Sequence, residues 1–183
     1  MREAAPALVS AAPVSIGLPA LWQADAEILI LGSLPGVASL QAAQYYAHPR
    51  NQFWPILQQL FGIAAEQPYA DRIAALQQQR VALWDLIAAA KRQGSLDSAI
   101  QRHSIQLNDF AALLQQLPQL KAVWLNGGTA SKSWQKLVDA GLMLAPQVQV
   151  FMLPSTSPAH AAQSFHAKLQ IWQQAYQQSL LHL

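Results

Sequence analysis

Two short stretches hold most of the side chains able to do chemistry. "YYAHPRNQFW", Tyr45 to Trp54, crowds aromatics, a histidine, an arginine and an asparagine together, and "PSTSPAHA", Pro154 to Ala161, concentrates hydroxyls beside a histidine. Phe53 and Trp54 open an apolar helical run and read as core. Tyr46, His48 and Asn51 have no such explanation. An aromatic in a cleft offers a flat face, worth about 1–3 kcal/mol per stacked nucleobase. Asn51 can orient a water through its side-chain carbonyl, although a neutral amide cannot serve as a general base. In the second stretch one serine could cap the following helix, but capping does not explain Ser155, Thr156 and Ser157 together. Ser155 or Ser157 with His160 and Asp85 would suit an ester hydrolase, yet no G-x-S-x-G elbow supports one. A third stretch, "GSLPG" (Gly32–Gly36), turns tightly and lets backbone amides approach a ligand. It lacks the lysine and third glycine of the phosphate and dinucleotide fingerprints.

These stretches need a scaffold, and the apolar runs supply it. "AEILILG" (26–32), "VALW" (81–84), "KAVWLNG" (121–127) and "VQVFMLP" (148–154) read as strands buried on both faces. Helical periodicity fills the intervals: "FWPILQQLF", "YADRIAALQQQR", "DFAALLQQL", "TASKSWQKLVDAG" and the long C-terminal "AAQSFHAKLQIWQQAYQQSLL". The alternation predicts an α/β single domain, a central, mostly parallel four-stranded sheet flanked by helices, with ligands bound outside the carboxyl ends of the strands. "GSLPG", "DLIAAAKRQGSLDS", "NGGTAS" and "PSTSPAHA" each follow a strand, so all four loops should converge on one edge.

Composition sets the outer limits. At 183 residues and 52% apolar content the chain suits one core. Residues 1–20, interrupted by Pro6, Pro13 and Pro19, read as a flexible or surface-draped arm rather than a signal peptide, with the domain over 21–183. The absence of cysteine excludes disulfides, thiolate metal sites and a cysteine nucleophile. The five histidines show no ligand spacing, so no metal or other cofactor is expected, and His103, His166 and His182 read as surface residues. A net charge of +2 excludes a polycation held to DNA by general attraction. Lys121, Lys132, Lys136 and Lys168 against Asp139 alone hint at a phosphate-facing C-terminal third. No apolar run reaches the ~20 residues of a membrane span, so a soluble, cytoplasmic protein is expected.

In this order, a strand, "GSLPG", "YYAHPRNQFW" and a late strand with "LPSTSPAHA", the chain resembles the uracil-DNA glycosylase superfamily over roughly residues 26–172. It is most similar to the hypoxanthine-DNA (deoxyinosine) glycosylase branch, and more distantly to the mismatch-specific thymine/uracil glycosylases. The resemblance implies excision of a flipped, deaminated base from DNA by a monomer. Many members carry Asp or Asn as the third residue of the first motif to position the attacking water. Leu34 stands here, as the hypoxanthine branch also lacks that residue, and Asn51 is implied in its place. Tyr46 would stack on the extruded base, with Gly32, Ser33, Leu34 and Ser155 around it.

Asp85 falls where relatives read the base edge. An ionised carboxylate only accepts, which matches the N1–H of hypoxanthine and repels the N1 acceptor of adenine; uracil, with N3–H, is not excluded. Asp85 is equally suited to capping a helix. Backbone amides around Gly32–Ser33 and Ser155–Ser157 would stabilise the departing base. Where many members have an intercalating leucine, this chain has Ala159 followed by His160, so His160 becomes a wedge or a phosphate contact, beside Ser157. Lys91 and Arg92 could meet phosphates, while Ser95 and Asp97 fix their loop. No Schiff-base lysine stands out, so strand cleavage is not expected. The rivals are a uracil or mismatch-uracil glycosylase and, because of Leu34, a catalytically silent binding module.

Overall fold

The four apolar runs all become strands. The computed structural model describes residues 12–180; His182 and the first eleven residues of the expected arm lie outside the described residues. In chain order the elements are β1 (Val14–Ile16), β2 (Ile28–Gly32), α1 (Val37–Ala42), α2 (Phe53–Phe61), α3 (Tyr69–Gln78), β3 (Val81–Asp85), β4 (Ile87–Lys91), β5 (Gln106–Leu107), α4 (Phe110–Gln115), β6 (Ala122–Asn126), α5 (Gly128–Asp139), β7 (Gln149–Leu153) and α6 (Phe165–Leu180). Strands β3, β2, β6 and β7 pair in that order, all parallel.

Every residue of β2 and β6 is buried, which is why these runs carry apolar side chains without alternation. Ile28, Ile30, Leu83 and Trp124 point to one side, against Phe53 and Trp54 of α2 and Trp172 of α6. Leu29, Leu31, Val123 and Leu125 point to the other, against Phe110 of α4 and Trp134 of α5. The sheet is thus the middle of three layers. The buried indole of Trp124 donates to Ser179 Oγ at 3.1 Å, so the core holds no orphaned N–H there.

A second sheet was not legible in the sequence. β1, β4 and β5 form an antiparallel sheet in the order β1–β4–β5. "IAAAK" has weak strand preference, but Ala89, Ala90 and Lys91 pair with Ile16, Ser15 and Val14. Tertiary pairing overrides local propensity here. One sequence expectation changes. The segment after Asp85 is a strand, so Asp85 caps no helix. The helix before "YYAHPRNQFW" ends at Ala42, and Tyr45–Tyr46 lie in a turn beyond it, with Tyr46 at φ +55°. Among the described residues no helix is long and apolar enough to cross a membrane.

Candidate active site

Because β2, β3, β6 and β7 are parallel, their carboxyl ends share one edge. Gly32, Asp85 and Asn126 close three adjoining strands, and the loops beyond them line a cavity of about 670 Å³. The cavity takes in Gly32–Gly36, Tyr45, Tyr46, His48, Asn51, Asp85, the 95–98 loop and Ser155–His160. The four loops expected to converge on one edge therefore do so.

Gly32 is the point of closest approach. A Cβ there would lie 2.2 Å from Asp85 Oδ1 and 2.9 Å from the Tyr46 hydroxyl, so only glycine lets both reach this spot. Asp85 is 3% exposed, and its Oδ2 is buried without a hydrogen-bond partner. Burial and then the Asp97 charge push its carboxyl up to about 7, against an opposing pull from Arg92. An unpaired acceptor of this kind is costly unless a ligand answers it.

Tyr46 is held from two sides. Its ring stacks on Phe53 with centroids 3.8 Å apart and planes 18° from parallel. Its hydroxyl accepts from Asn126 Nδ2 at 3.1 Å, and burial and the Asp85 charge raise its pKa above the ordinary phenol value. Asn126 was missed as a site residue. It also donates to Thr156 Oγ1 at 3.0 Å and accepts from the Thr156 N–H at 3.0 Å, while the Thr156 carbonyl accepts from Gln52 N–H. One buried amide therefore joins the end of β6, the Ser155–Ser157 loop and the aromatic of the first stretch. The available signal was a polar residue closing the apolar run "KAVWLN", in the same row as Gly32 and Asp85.

Asn51 lines the cavity half-buried. Its Oδ1 accepts from Phe53 N–H at 3.0 Å, which fixes the plane of the amide at the start of α2. In the hydroxyl loop, Ser155 Oγ accepts from Ser157 N–H and Ser157 Oγ from Ala159 N–H, both at 3.2 Å. The amides of Thr156 and Ser157 are thus engaged within the protein, which corrects their expected role toward a departing base. Ser164, outside the loop, accepts from Ala167 N–H at the start of α6. The His160 carbonyl accepts from Lys168 Nζ at 2.8 Å, and Ala159 is exposed.

Leu34 borders the cavity but is buried in an apolar cluster with Ile87, Ala90 and Ile100. It offers a ligand no side-chain polar atom.

The expectation that Arg92 meets phosphate is corrected. Arg92 is 1% exposed, and its guanidinium donates to the carbonyls of Leu34 and Pro35. Together with Ser33 Oγ donating to Asp97 Oδ2 at 2.7 Å and Val37 N–H to Ser95 Oγ at 2.9 Å, it fastens the first motif to the 92–97 loop. Arg92→Leu is expected to lower unfolding free energy by about 2–3 kcal/mol, since it strips two buried carbonyls of charged donors. Chemical denaturation measures that loss. Loss of a phosphate contact would instead reduce the salt dependence of DNA binding, which should stay unchanged.

Lys91 is exposed on β4, outside the cavity lining. The C-terminal lysines divide as well. Lys121 pairs with Glu27 at 3.1 Å, Lys168 is buried, and Lys132 lines the cavity with its side chain exposed. Arg50, also exposed and lining the cavity, was not singled out from the sequence. Among the described residues no group of three or more His, Asp or Glu is placed to hold a metal ion.

The chain belongs to the uracil DNA glycosylase superfamily, whose family model matches residues 19–177. Within it, the chain is similar to the hypoxanthine DNA glycosylase of Methanosarcina barkeri, 41% identical over 112 residues, covering 61% of this chain and 70% of the relative. It is similar also to the hypoxanthine DNA glycosylase of Methanosarcina acetivorans, 35% identical over 145 residues, 79% of this chain and 87% of the other. The solution NMR structure of a Methanosarcina acetivorans protein provisionally described as a uracil DNA glycosylase matches with a TM-score of 0.76 and 31% identity, over 91% of this chain and 99% of that one.

Proposed function

We propose that the protein is a monofunctional DNA glycosylase of base excision repair, acting as a cytoplasmic monomer on deaminated bases, with hypoxanthine in deoxyinosine-containing DNA as its substrate. One observation carries this reading: a buried carboxylate with an unanswered oxygen, an aromatic ring backed by Phe53 and a fixed amide share one cavity. The extruded base stacks on Tyr46, whose ring Phe53 backs, and presents N1–H to ionised Asp85, while Gly32, Ser33, Leu34 and Ser155 form its walls.

Cleavage then demands little of the nucleophile. As the C1′–N bond breaks, its electron pair leaves with the base and the sugar takes on oxocarbenium character, which a weak nucleophile captures. Asn51 orients the water; the water's surplus proton passes to the base or to solvent. Donors aimed at the leaving base supply the larger stabilisation, and the amides around Gly32–Ser33 are the ones proposed. Exposed Arg50 and Lys132 face the phosphates, with His160, Ser157 and Ala159 along the strand.

Base release from matched duplexes carrying deoxyinosine, deoxyuridine or no lesion tests the assignment. Release from the inosine duplex at least about tenfold faster than from the others, a difference of about 1.4 kcal/mol, is the expected outcome. Preferential uracil release moves the protein to a neighbouring branch of the superfamily. No release from any duplex makes it a binding module, the reading that buried Leu34 favours.

A further inference from the structure

An extruded base leaves a gap in the stack, and proteins that hold DNA in such a state commonly insert an apolar side chain between base steps. The Ser155–His160 loop offers no exposed large apolar residue for this. Ala159 is the exposed apolar residue there, and a methyl group is too small to fill a base-sized gap.

The loop from the other edge of the sheet does offer one. Leu96 is 54% exposed, and of the large hydrophobic side chains exposed among the described residues it alone lines the cavity. A single exposed leucine is ordinary on a protein surface. What sets this one apart is how firmly its backbone is held. The loop is closed at its base by the bridge between Arg92 and Ile100, and Ile100 is buried. Gly94, at φ +72°, turns the chain. On one side of Leu96, Ser95 Oγ accepts from Val37 N–H; on the other, Asp97 accepts from Ser33 Oγ. Asp97 is thus tied to the motif that contains Gly32 and Ser33, and Ser95 to the first residue of α1 directly after it. The Leu96 carbonyl accepts from Ala99 N–H at 3.0 Å and closes the turn. The leucine is presented to solvent from a braced loop, at the rim of the cavity that receives the base.

We propose that Leu96 is the apolar wedge that enters the base stack beside the extruded nucleotide and holds it out. The inference rests on the glycosylase reading above. It assigns the wedge to the 92–100 loop rather than to the loop containing His160, which is left to the phosphate backbone. The two loops approach the cavity from β4, directly after outer strand β3, and from outer strand β7.

Single-turnover base release from an inosine-containing duplex and from the same strand alone tests it, because a lone strand has no paired stack to reopen. Leu96→Ala should lower the ratio of duplex to single-strand release by about 30-fold, corresponding to loss of the interaction that offsets unstacking. Leu96→Phe should restore most of that ratio, and 2-aminopurine beside the lesion should brighten with the unmutated protein and much less with Leu96→Ala. An equal fall on both substrates, or no fall on either, overturns the proposal. Failure of the unmutated protein to release hypoxanthine from either substrate overturns the glycosylase reading itself, and the wedge with it.

Discussion

Asn51→Ala is expected to slow hypoxanthine release by about 100-fold or more while affinity for inosine-containing DNA changes by less than about threefold. The reason lies in where Asn51 sits. Its Oδ1 already accepts the Phe53 N–H at 3.0 Å, so the amide cannot rotate freely, and its remaining lone pair and Nδ2 are set in one plane at the cavity wall. A water bound there is held on one line of approach to the sugar. Alanine removes the proposed water's anchor without touching Tyr46 or Asp85, the groups proposed to hold the base. It also removes the turn bond at the start of α2, a loss of about 1 kcal/mol in stability. Asn51→Asp should retain both functions and much of the rate, because a carboxylate still accepts from Phe53 N–H and can still orient a water. Single-turnover rates and equilibrium binding, measured on all three proteins, check the expectation. A release rate that survives in Asn51→Ala would remove Asn51 from the mechanism.

The second large effect concerns Asp85. If the ionised carboxylate reads N1–H, kcat/KM for hypoxanthine should fall as the pH drops through about 7, the value to which burial and Asp97 push this carboxyl. Protonation also changes what the group discriminates. A neutral acid accepts N1–H more weakly than a carboxylate and gains a donor that adenine N1 can accept, so selectivity should narrow on the acid side. Asp85→Ala should lose about 10–100-fold in kcat/KM, because the base edge is left unread. Asp85→Asn keeps an acceptor beside a donor but cannot titrate, so its profile should be flat through pH 7. A wild-type limb that persists in Asp85→Asn would assign the titration to another group.

Stability should follow the same group with the opposite benefit. A carboxyl whose folded pKa is raised binds a proton that the unfolded chain has already released. Folding stability therefore falls as pH rises from about 4 to about 7 and is level above that, with a loss of up to roughly 4 kcal/mol. Asp85→Asn should accordingly be more stable than the natural protein at pH 8, as denaturant titration would record. If Asp85 reads the base as proposed, its carboxylate is kept there at a cost to the fold.

How much of this was readable beforehand varies with the distance over which each feature is decided. Strands β2, β3 and β6 were legible because burial on both faces leaves an unbroken apolar run, as in "ILILG" and "AVWLN"; β7 was expected to be buried on both faces too, but it lies at the sheet edge and exposes Val150 and Met152 on one face. Helix α2 was legible from its apolar spacing over Phe53–Phe61. β4 was not, because three alanines carry no strand signature and their pairing with Val14–Ile16 is decided some 75 residues away in sequence. At the site, Asn51, Tyr46 and Asp85 stood out as polar or aromatic groups next to turns or strand ends. Arg92 misled for a clear physical reason: a cation in a Gly/Ser-rich loop reads as a phosphate contact, and only the folded chain reveals two backbone carbonyls closing over it. Asn126 was overlooked because its partners, Tyr46 and Thr156, are 80 and 30 positions distant.

That same Asn126 crosspiece has a consequence for how the protein searches DNA. With the aromatic, the hydroxyl loop and the sheet edge already locked together, the receptor is finished before its ligand arrives, and few of its groups have freedom left to lose on association. On the proposed reading, the deformation at encounter then falls on the DNA helix, which must kink and let a nucleotide go. A rigid mould of this kind interrogates the duplex for weakness: it samples how readily each position opens, and only then inspects the chemistry of what has opened.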